Sequence, residues 1–265
     1  MYYIDFDNTL YETGRLTKEV LTTFAKIIAT SKKINVEIVL DELKKSFNST
    51  VDNFESFANG LAAKYGINSS TLQLHLKKII VEHGSDFTFP DGLRFLKRLH
   101  EAGEHIYILT YVAQKKNLKQ QALKLAGSGI LPYTTGVIAI NQYKYEMCLD
   151  YKHGIFVDDD PRDLEGLYKA GAKKLIRIKK PNNTKRTSKT LNIPKEIPTY
   201  ESFDDIPIER IKWTNIFNFF VKTIEKRLRF CYNIFCHGEV AQLARALGSY
   251  PRCREFESPL RYQNP

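Results

Sequence analysis

The sequence has little cysteine and no long uncharged apolar run. It contains four cysteines in 265 residues. A chain of this length can bury a core without disulfide bonds, so we expect a reducing, cytoplasmic compartment. No uncharged apolar stretch reaches the roughly 20 residues that a membrane-spanning helix needs, and charged residues begin too early for a secretory signal peptide. We therefore expect a soluble core.

Negative charge is in the minority. Lysine and arginine number 40 against 30 aspartates and glutamates, which gives a formal net charge of +10. This excess favours anionic partners such as nucleic acid, phosphorylated metabolites or acidic lipid, and charge alone does not choose among them. Much of the excess lies in two runs, residues 173–189 and 210–229. We interpret both runs as solvated faces.

Short apolar segments alternate with amphipathic ones along most of the chain. The predicted strands cover residues 2–6, 105–109, 136–140, 154–157 and 175–178. Helical patterns separate them, at residues 117–125, 145–151 and 164–170 among others. This alternation predicts an α/β fold with a doubly wound parallel sheet. Residues 16–85 instead repeat apolar positions every three or four residues, which predicts an inserted α-helical subdomain.

These patterns divide the chain into four parts. The predicted parts are an α/β core of residues 1–15 and 86–206, a helical insert of residues 16–85, an aromatic and basic extension of residues 207–237, and a tail of residues 238–265. Within the core, residues 180–199 show little periodicity and indicate an excursion or linker. The extension has an apolar helical face that docks on the core or lies on a membrane surface. Docking, or a loosely ordered helix, is the simpler interpretation.

The tail resembles a translated transfer-RNA gene. Residues 240–246, Val-Ala-Gln-Leu-Ala-Arg-Ala, match what the D-arm consensus spells in one frame, and residues 256–259, Phe-Glu-Ser-Pro, match the T-arm. Their separation of 16 codons (256 minus 240) fits one transfer RNA. We therefore expect residues 238–265 to be a disordered read-through segment without function, and a genuine basic tail is the alternative.

Two carboxylates follow the first predicted strand. Asp5 and Asp7 are two residues apart, so in an extended chain they point to the same side and face one ligand. A carboxylate in this position can attack a phosphoryl group if a cation offsets the charge repulsion. A second group must then protonate the leaving oxygen. Asp5 and Asp7 suit these two roles.

The segment Asp5-Phe6-Asp7-Asn8-Thr9 resembles the first signature of the haloacid dehalogenase superfamily, in its phosphatase branch. The resemblance implies a Rossmann-like core, with Asp5 as the nucleophile that forms an aspartyl-phosphate and Asp7 as the general acid/base. It also implies Mg²⁺, held by the Asp5 carboxylate and the Asp7 backbone carbonyl. Asn8 is assigned to substrate binding.

Later segments resemble the family's other signatures, in the family's order. Residues 106–110 form an apolar strand that ends in Thr110, which would bind a phosphate oxygen. Residues 155–160 form an apolar strand that ends in acids. By this resemblance Asp159 is a metal ligand, whereas Asp158 and Asp163 orient the metal's waters.

The family's third signature is a lysine that neutralises the nucleophile and the phosphate. Its surroundings mark it poorly, so it is chosen by position. Lys144 opens a predicted short helix 14 residues before Asp158 (158 minus 144) and is our choice. Lys152 is the second candidate.

Together these features predict a magnesium-dependent phosphomonoester hydrolase with a helical cap over its site. Caps in this position usually accompany small soluble phosphates, and a nucleotide is one candidate. Nucleic acid is not required, and the oligomeric state is left open. The alternatives are a phosphatase acting on protein or polynucleotide ends, and a non-catalytic phosphate-binding or membrane-associated regulator. Complete acids at positions 5, 7 and 159 argue against the regulator.

Overall fold

The computed structural model describes residues 1–47, 53–112, 117–147, 153–180, 194 and 196–208. The chain divides into two units, Met1–Lys212 and Trp213–Pro265, and all described residues belong to the first. Lys152, the four cysteines, the predicted tail and nearly all of the predicted extension lie outside the described residues. No helix in the described part of the chain is both long and apolar enough to cross a bilayer.

A six-stranded sheet forms the centre of the described chain. Its strands are β1 (Tyr2–Ile4), β2 (Ile106–Tyr111), β3 (Gly136–Ile140), β4 (Ile155–Asp158), β5 (Lys174–Ile178) and β6 (Thr199–Tyr200). Every pair is parallel, and the order is β3-β2-β1-β4-β5-β6. The chain therefore starts in the middle of the sheet and winds outward first in one direction and then in the other. This confirms the predicted doubly wound sheet.

Apolar side chains cover both faces of this sheet, as expected for parallel strands. Along β1, Tyr2 and Ile4 point into the larger apolar cluster, whereas Tyr3 points into a second cluster on the opposite face. On that second face Tyr3 stacks on Phe156 of β4, with 4.9 Å between ring centroids. The sheet is thus buried on both sides, and its strand ends are the part left available for polar side chains.

Seven α-helices surround or extend the sheet in the described residues. They are α1 (Thr13–Lys32), α2 (Val36–Ser46), α3 (Phe54–Tyr65), α4 (Ser69–Lys77), α5 (Pro90–Glu101), α6 (Leu118–Gly127) and α7 (Pro161–Lys169). Helices α1 to α4 form the insert after β1. Asparagines at positions 35, 53 and 68 each cap one of α2 to α4 by accepting a bond from a backbone N–H of the first turn. A π-helical turn, Lys78–Glu82, and a 3-10 turn, Gly84–Phe87, lead from α4 toward α5.

One prediction about the core was wrong at its ends. Residues 180–199 were predicted to be an excursion or linker, but Thr199–Tyr200 forms the sixth strand and Lys180 is buried. Lys180 forms an ion pair with Asp91, and its ammonium lies 5.0 Å from the ring centroid of Phe89. A lysine-rich segment looks solvated in sequence, and only the tertiary partner that neutralises the charge allows the lysine to be buried.

The close approach of α6 to the π-helical turn gives a stability prediction. A methyl group added at Gly127 would meet the backbone carbonyl of Ile80, whereas one added at Gly60 in α3 would have nothing within 4 Å. We expect Gly127→Ala to lower the free energy of unfolding by about 1–3 kcal/mol. Gly60→Ala should raise it by about 0.5–1 kcal/mol because alanine is the better helix former. Urea unfolding of both variants tests this, and similar effects in the two would contradict it.

Candidate active site

The polar side chains of the predicted signatures meet where the central strands end. Ile4 of β1 pairs with Ile108 of β2 on one side and Val157 of β4 on the other. The residues that follow this row therefore emerge at one edge of the sheet, next to the point where the strand order reverses. Open α/β sheets commonly bind ligands in such a crevice.

A tight turn after β1 fixes the direction of the first signature. Asn8 has a positive φ of 64°, a left-handed conformation that asparagine tolerates better than most residues. Its backbone N–H donates to the carbonyl of Tyr11, and the N–H groups of Leu10 and Tyr11 both donate to the carbonyl of Phe6. The turn brings the chain back on itself between the second acid and helix α1. Asn8, which we had assigned to substrate binding, is half-buried in this turn.

Three buried carboxylates form a group suited to a metal ion. One oxygen from each of Asp5, Asp158 and Asp159 lies within 4.8 Å of the others. Carboxylate oxygens are ligands that Mg²⁺ prefers, so this acidic group is of the kind that could hold such an ion. Asp159 also accepts a bond of 3.1 Å from the Thr9 hydroxyl. The sequence placed Asp158 beyond the ligands, yet its carboxylate belongs to the same group.

Lys144 lies among these carboxylates. Its ammonium is 2.6 Å from Asp5 Oδ1, 2.5 Å from Asp158 Oδ2 and 3.5 Å from Asp163 Oδ2. It begins a single 3-10 turn, Lys144–Glu146, which places it beside the nucleophile chosen from the sequence. The four acids and one lysine leave excess negative charge, which a cation would balance.

The charge excess shows in the ionisation of the acids. Burial raises the pKa of Asp5 to about 7, against the opposing effect of Lys144. Burial likewise raises the pKa of Asp158 to about 7, with the neighbouring Asp163 adding to it. The Lys144 pKa is well above its ordinary value, because its carboxylate neighbours outweigh its burial. Removing these groups from water penalises their negative charge, and the single Lys144 ammonium lowers the pKa of Asp5 and Asp158 by less than burial raises it.

The Asp7 carboxylate has a separate set of partners. Lys124 and the Thr13 hydroxyl both contact Oδ1, and the Gln121 amide donates to Oδ2 at 2.7 Å. The same amide nitrogen donates to the Thr110 hydroxyl, also at 2.7 Å. Burial would raise the pKa of Asp7, but Lys124 and these donors hold it below its ordinary value. Asp7 is therefore a carboxylate stabilised in its ionised form, unlike Asp5.

Gln121 and Lys124 were not predicted from the sequence. They lie three residues apart in α6 and so share one helix face. A lysine in an amphipathic helix is normally solvated, yet Lys124 is only 3% exposed. The one signal in the sequence is the three-residue spacing of Gln121 and Lys124. This spacing indicates a shared site only once α6 is known to pack against the turn after β1.

Comparison with known proteins settles the fold. No family model matches the sequence, and no curated protein sequence matches it. A haloacid dehalogenase-like hydrolase from Burkholderia xenovorans matches in structure at 19% identity over 77% of this chain and 93% of its own, with a TM-score of 0.50. The chain has the haloacid dehalogenase-like fold. A phosphatase of this fold from Thermococcus onnurineus also matches, at 16% identity over 77% of this chain and 94% of its own, with a TM-score of 0.48.

The ionisation of the acidic group predicts a pH dependence of stability. A pKa raised in the folded state means that folding favours the protonated acid, so stability is lost as pH rises through the folded pKa. In metal-free protein, Asp158→Asn should therefore gain stability over wild type between about pH 4 and 7, reaching about 1–2 kcal/mol. Urea unfolding with a chelator, at several pH values, measures this difference. Added Mg²⁺ should raise the free energy of unfolding of the wild-type protein more at high pH than at low pH. A difference that is constant across pH would contradict the prediction.

Proposed function

We propose that this protein is a magnesium-dependent phosphomonoester hydrolase that works through an aspartyl-phosphate on Asp5. The observation that carries the proposal is the position of Asp5: its carboxylate lies 2.6 Å from the Lys144 ammonium and shares the acidic group with Asp158 and Asp159. A second carboxylate, Asp7, follows two residues later and has its own partners. The proposed nucleophile and the proposed acid/base are thus two different carboxylates that follow the same strand, and the nucleophile is shared with the cation site.

The metal would be held by carboxylate oxygens. Asp5, Asp158 and Asp159 supply them, and the resemblance adds the Asp7 backbone carbonyl. When bound, Mg²⁺ offsets the repulsion between the Asp5 carboxylate and an anionic phosphoryl group. Lys144 adds a fixed positive charge on the same side.

The residues divide the reaction into two steps. Asp7 is ionised in the free protein, so it would first take a proton from the monoanionic phosphate ester. An Asp5 oxygen attacks phosphorus, the bond from phosphorus to the ester oxygen breaks, and protonated Asp7 gives its proton to that oxygen. Asp7 then takes a proton from water as that water attacks the aspartyl-phosphate, which releases inorganic phosphate and restores Asp5. Thr110 is 1% exposed, and its hydroxyl accepts a hydrogen bond from the Gln121 amide. This hydroxyl would bind a phosphoryl oxygen.

The substrate class follows from the helical insert. Helices α1 to α4 lie between the first two signatures, and a cap there favours small molecules because it encloses the ester and excludes water. A small phosphorylated metabolite is the proposed substrate, with a nucleotide as one candidate, and the proposed compartment is the cytoplasm. Partner nucleic acid is not required by this site.

The test is phosphate release by the full-length protein. We expect turnover of p-nitrophenyl phosphate and of members of a phosphorylated-metabolite panel, lost when a chelator removes Mg²⁺. Asp5→Asn should lower kcat by about 10³-fold or more, because no other group replaces the nucleophile.

Asp41→Asn is the matched control for that variant. Asp41 lies in helix α2 of the insert, and its side chain is 66% exposed. Its replacement should leave turnover within about twofold of wild type. Turnover that survives Asp5→Asn, or that ignores the chelator, would overturn the proposed mechanism. Silence across the panel would overturn the proposed substrate class.

A further inference from the structure

Helix α6 places a buried cation beside the proposed acid/base. Lys124 is 3% exposed; its ammonium forms an ion pair with Asp7 Oδ1 and donates to Gln121 Oε1 at 2.9 Å. The two-step reaction above assigns no role to Lys124. Because burying a charge is costly unless it is paired, the contact with Asp7 is what permits the lysine to lie here.

Two aromatic rings complete the surroundings of this ammonium. Its nitrogen lies 5.5 Å from the ring centroid of Phe6 and 5.8 Å from that of Tyr11. The two rings stack on each other, with centroids 4.9 Å apart, and both belong to the turn that carries Asp7. The ammonium is therefore attracted to one rigid unit through a carboxylate and two ring faces.

Gln121 is oriented by the same lysine. Lysine has only donors, so Gln121 must present its oxygen to Lys124 and its NH₂ to the other side. That NH₂ donates to Asp7 Oδ2 and to the Thr110 hydroxyl, both at 2.7 Å. Lys124 thus fixes the amide, and the amide connects the acid/base with the threonine at the end of β2.

Both oxygens of Asp7 are consequently held from α6. Lys124 contacts Oδ1 and Gln121 contacts Oδ2. The Thr13 hydroxyl also contacts Oδ1, so α6 supplies the donor on Oδ2 and one of the two donors on Oδ1. Together these donors restrict rotation of the carboxylate plane. Placement of this kind matters in catalysis, because small losses of alignment reduce proton-transfer rates.

We propose that Lys124 and Gln121 are positioning residues for Asp7, holding its carboxylate in the orientation from which a proton passes to the ester oxygen as the bond from phosphorus to that oxygen breaks. The inference rests on the proposed function. It assigns to α6 a contribution to leaving-group departure, and it assigns Lys124 no contact with the phosphoryl group.

Two aryl esters of similar shape test this on the full-length protein. p-Nitrophenolate is a stabilised anion that leaves with little help from a proton, whereas the phenolate of phenyl phosphate needs protonation. The quantity to compare is kcat/KM, since it covers only the steps up to departure of the alcohol. For Lys124→Met, which keeps an unbranched side chain only one atom shorter, we expect a loss of about 30-fold with phenyl phosphate and under about threefold with p-nitrophenyl phosphate.

Lys180→Met is the matched control. Lys180 is also a buried lysine that pairs with an aspartate, Asp91, and lies over two rings, those of Phe89 and Phe203. Its loss should lower the free energy of unfolding as Lys124→Met does, but should change kcat/KM for the two esters by the same factor. A leaving-group dependence in both variants would assign the effect to stability and overturn the inference.

The Asp7→Asn background separates the remaining outcomes. If Lys124 acts through Asp7, then Lys124→Met should cause less than about a threefold further loss with phenyl phosphate when Asp7 is already asparagine. If the losses in kcat/KM from Lys124→Met and Asp7→Asn were fully additive in the double variant, the inference would be overturned. Equal losses on both esters in the Lys124→Met single variant would overturn it too, and either result would leave the proposed function intact. Wild-type protein that, with Mg²⁺, releases phosphate from neither ester and from no member of the metabolite panel would overturn the proposed function, and this inference with it.

Discussion

The arrangement of the site depends on the compensation of buried carboxylates by a single lysine. Asp5, Asp158 and Asp159 converge away from water, where like charges repel strongly. Lys144 contacts two of them, and its one positive charge is too little for the group. Such an arrangement is poor for stability and suited to binding a hard cation, which supplies the missing positive charge.

Parallel strand pairing brings that group together from distant parts of the chain. The row Ile4, Ile108 and Val157 is in register across three strands, so Asp5 and Asp158 each lie one residue beyond it. Helix α6 then joins this edge to the insert. Its residue Gln120 accepts a 2.6 Å bond from the backbone N–H of Phe54 at the start of α3, and the next residue contacts Asp7. One helix thereby touches both the insert and Asp7.

The sequence allowed prediction of features that depend on local pattern. Apolar segments ending in acids identify strand ends, and this was enough to predict the sheet. The residues expected beside Asp5 came from the family resemblance, with Lys144 chosen by position. The short strand β6 was not predictable, because two residues in a polar segment carry no periodicity of their own. Gln121 and Lys124 were not predictable either, since their burial follows from where α6 packs, which no local pattern encodes.

Two of the buried lysines, Lys124 and Lys180, show why residue type alone does not identify function. Lys124 and Lys180 have nearly the same surroundings, an aspartate and two aromatic rings. The difference lies in the aspartate. Asp91 is otherwise bonded to the Ser202 hydroxyl and the Phe203 N–H, so its pair ties the chain after β6 to α5. Asp7 instead shares Gln121 with Thr110 at the strand ends. The same ion pair is therefore structural in one place and, by its position, poised to act on chemistry in the other.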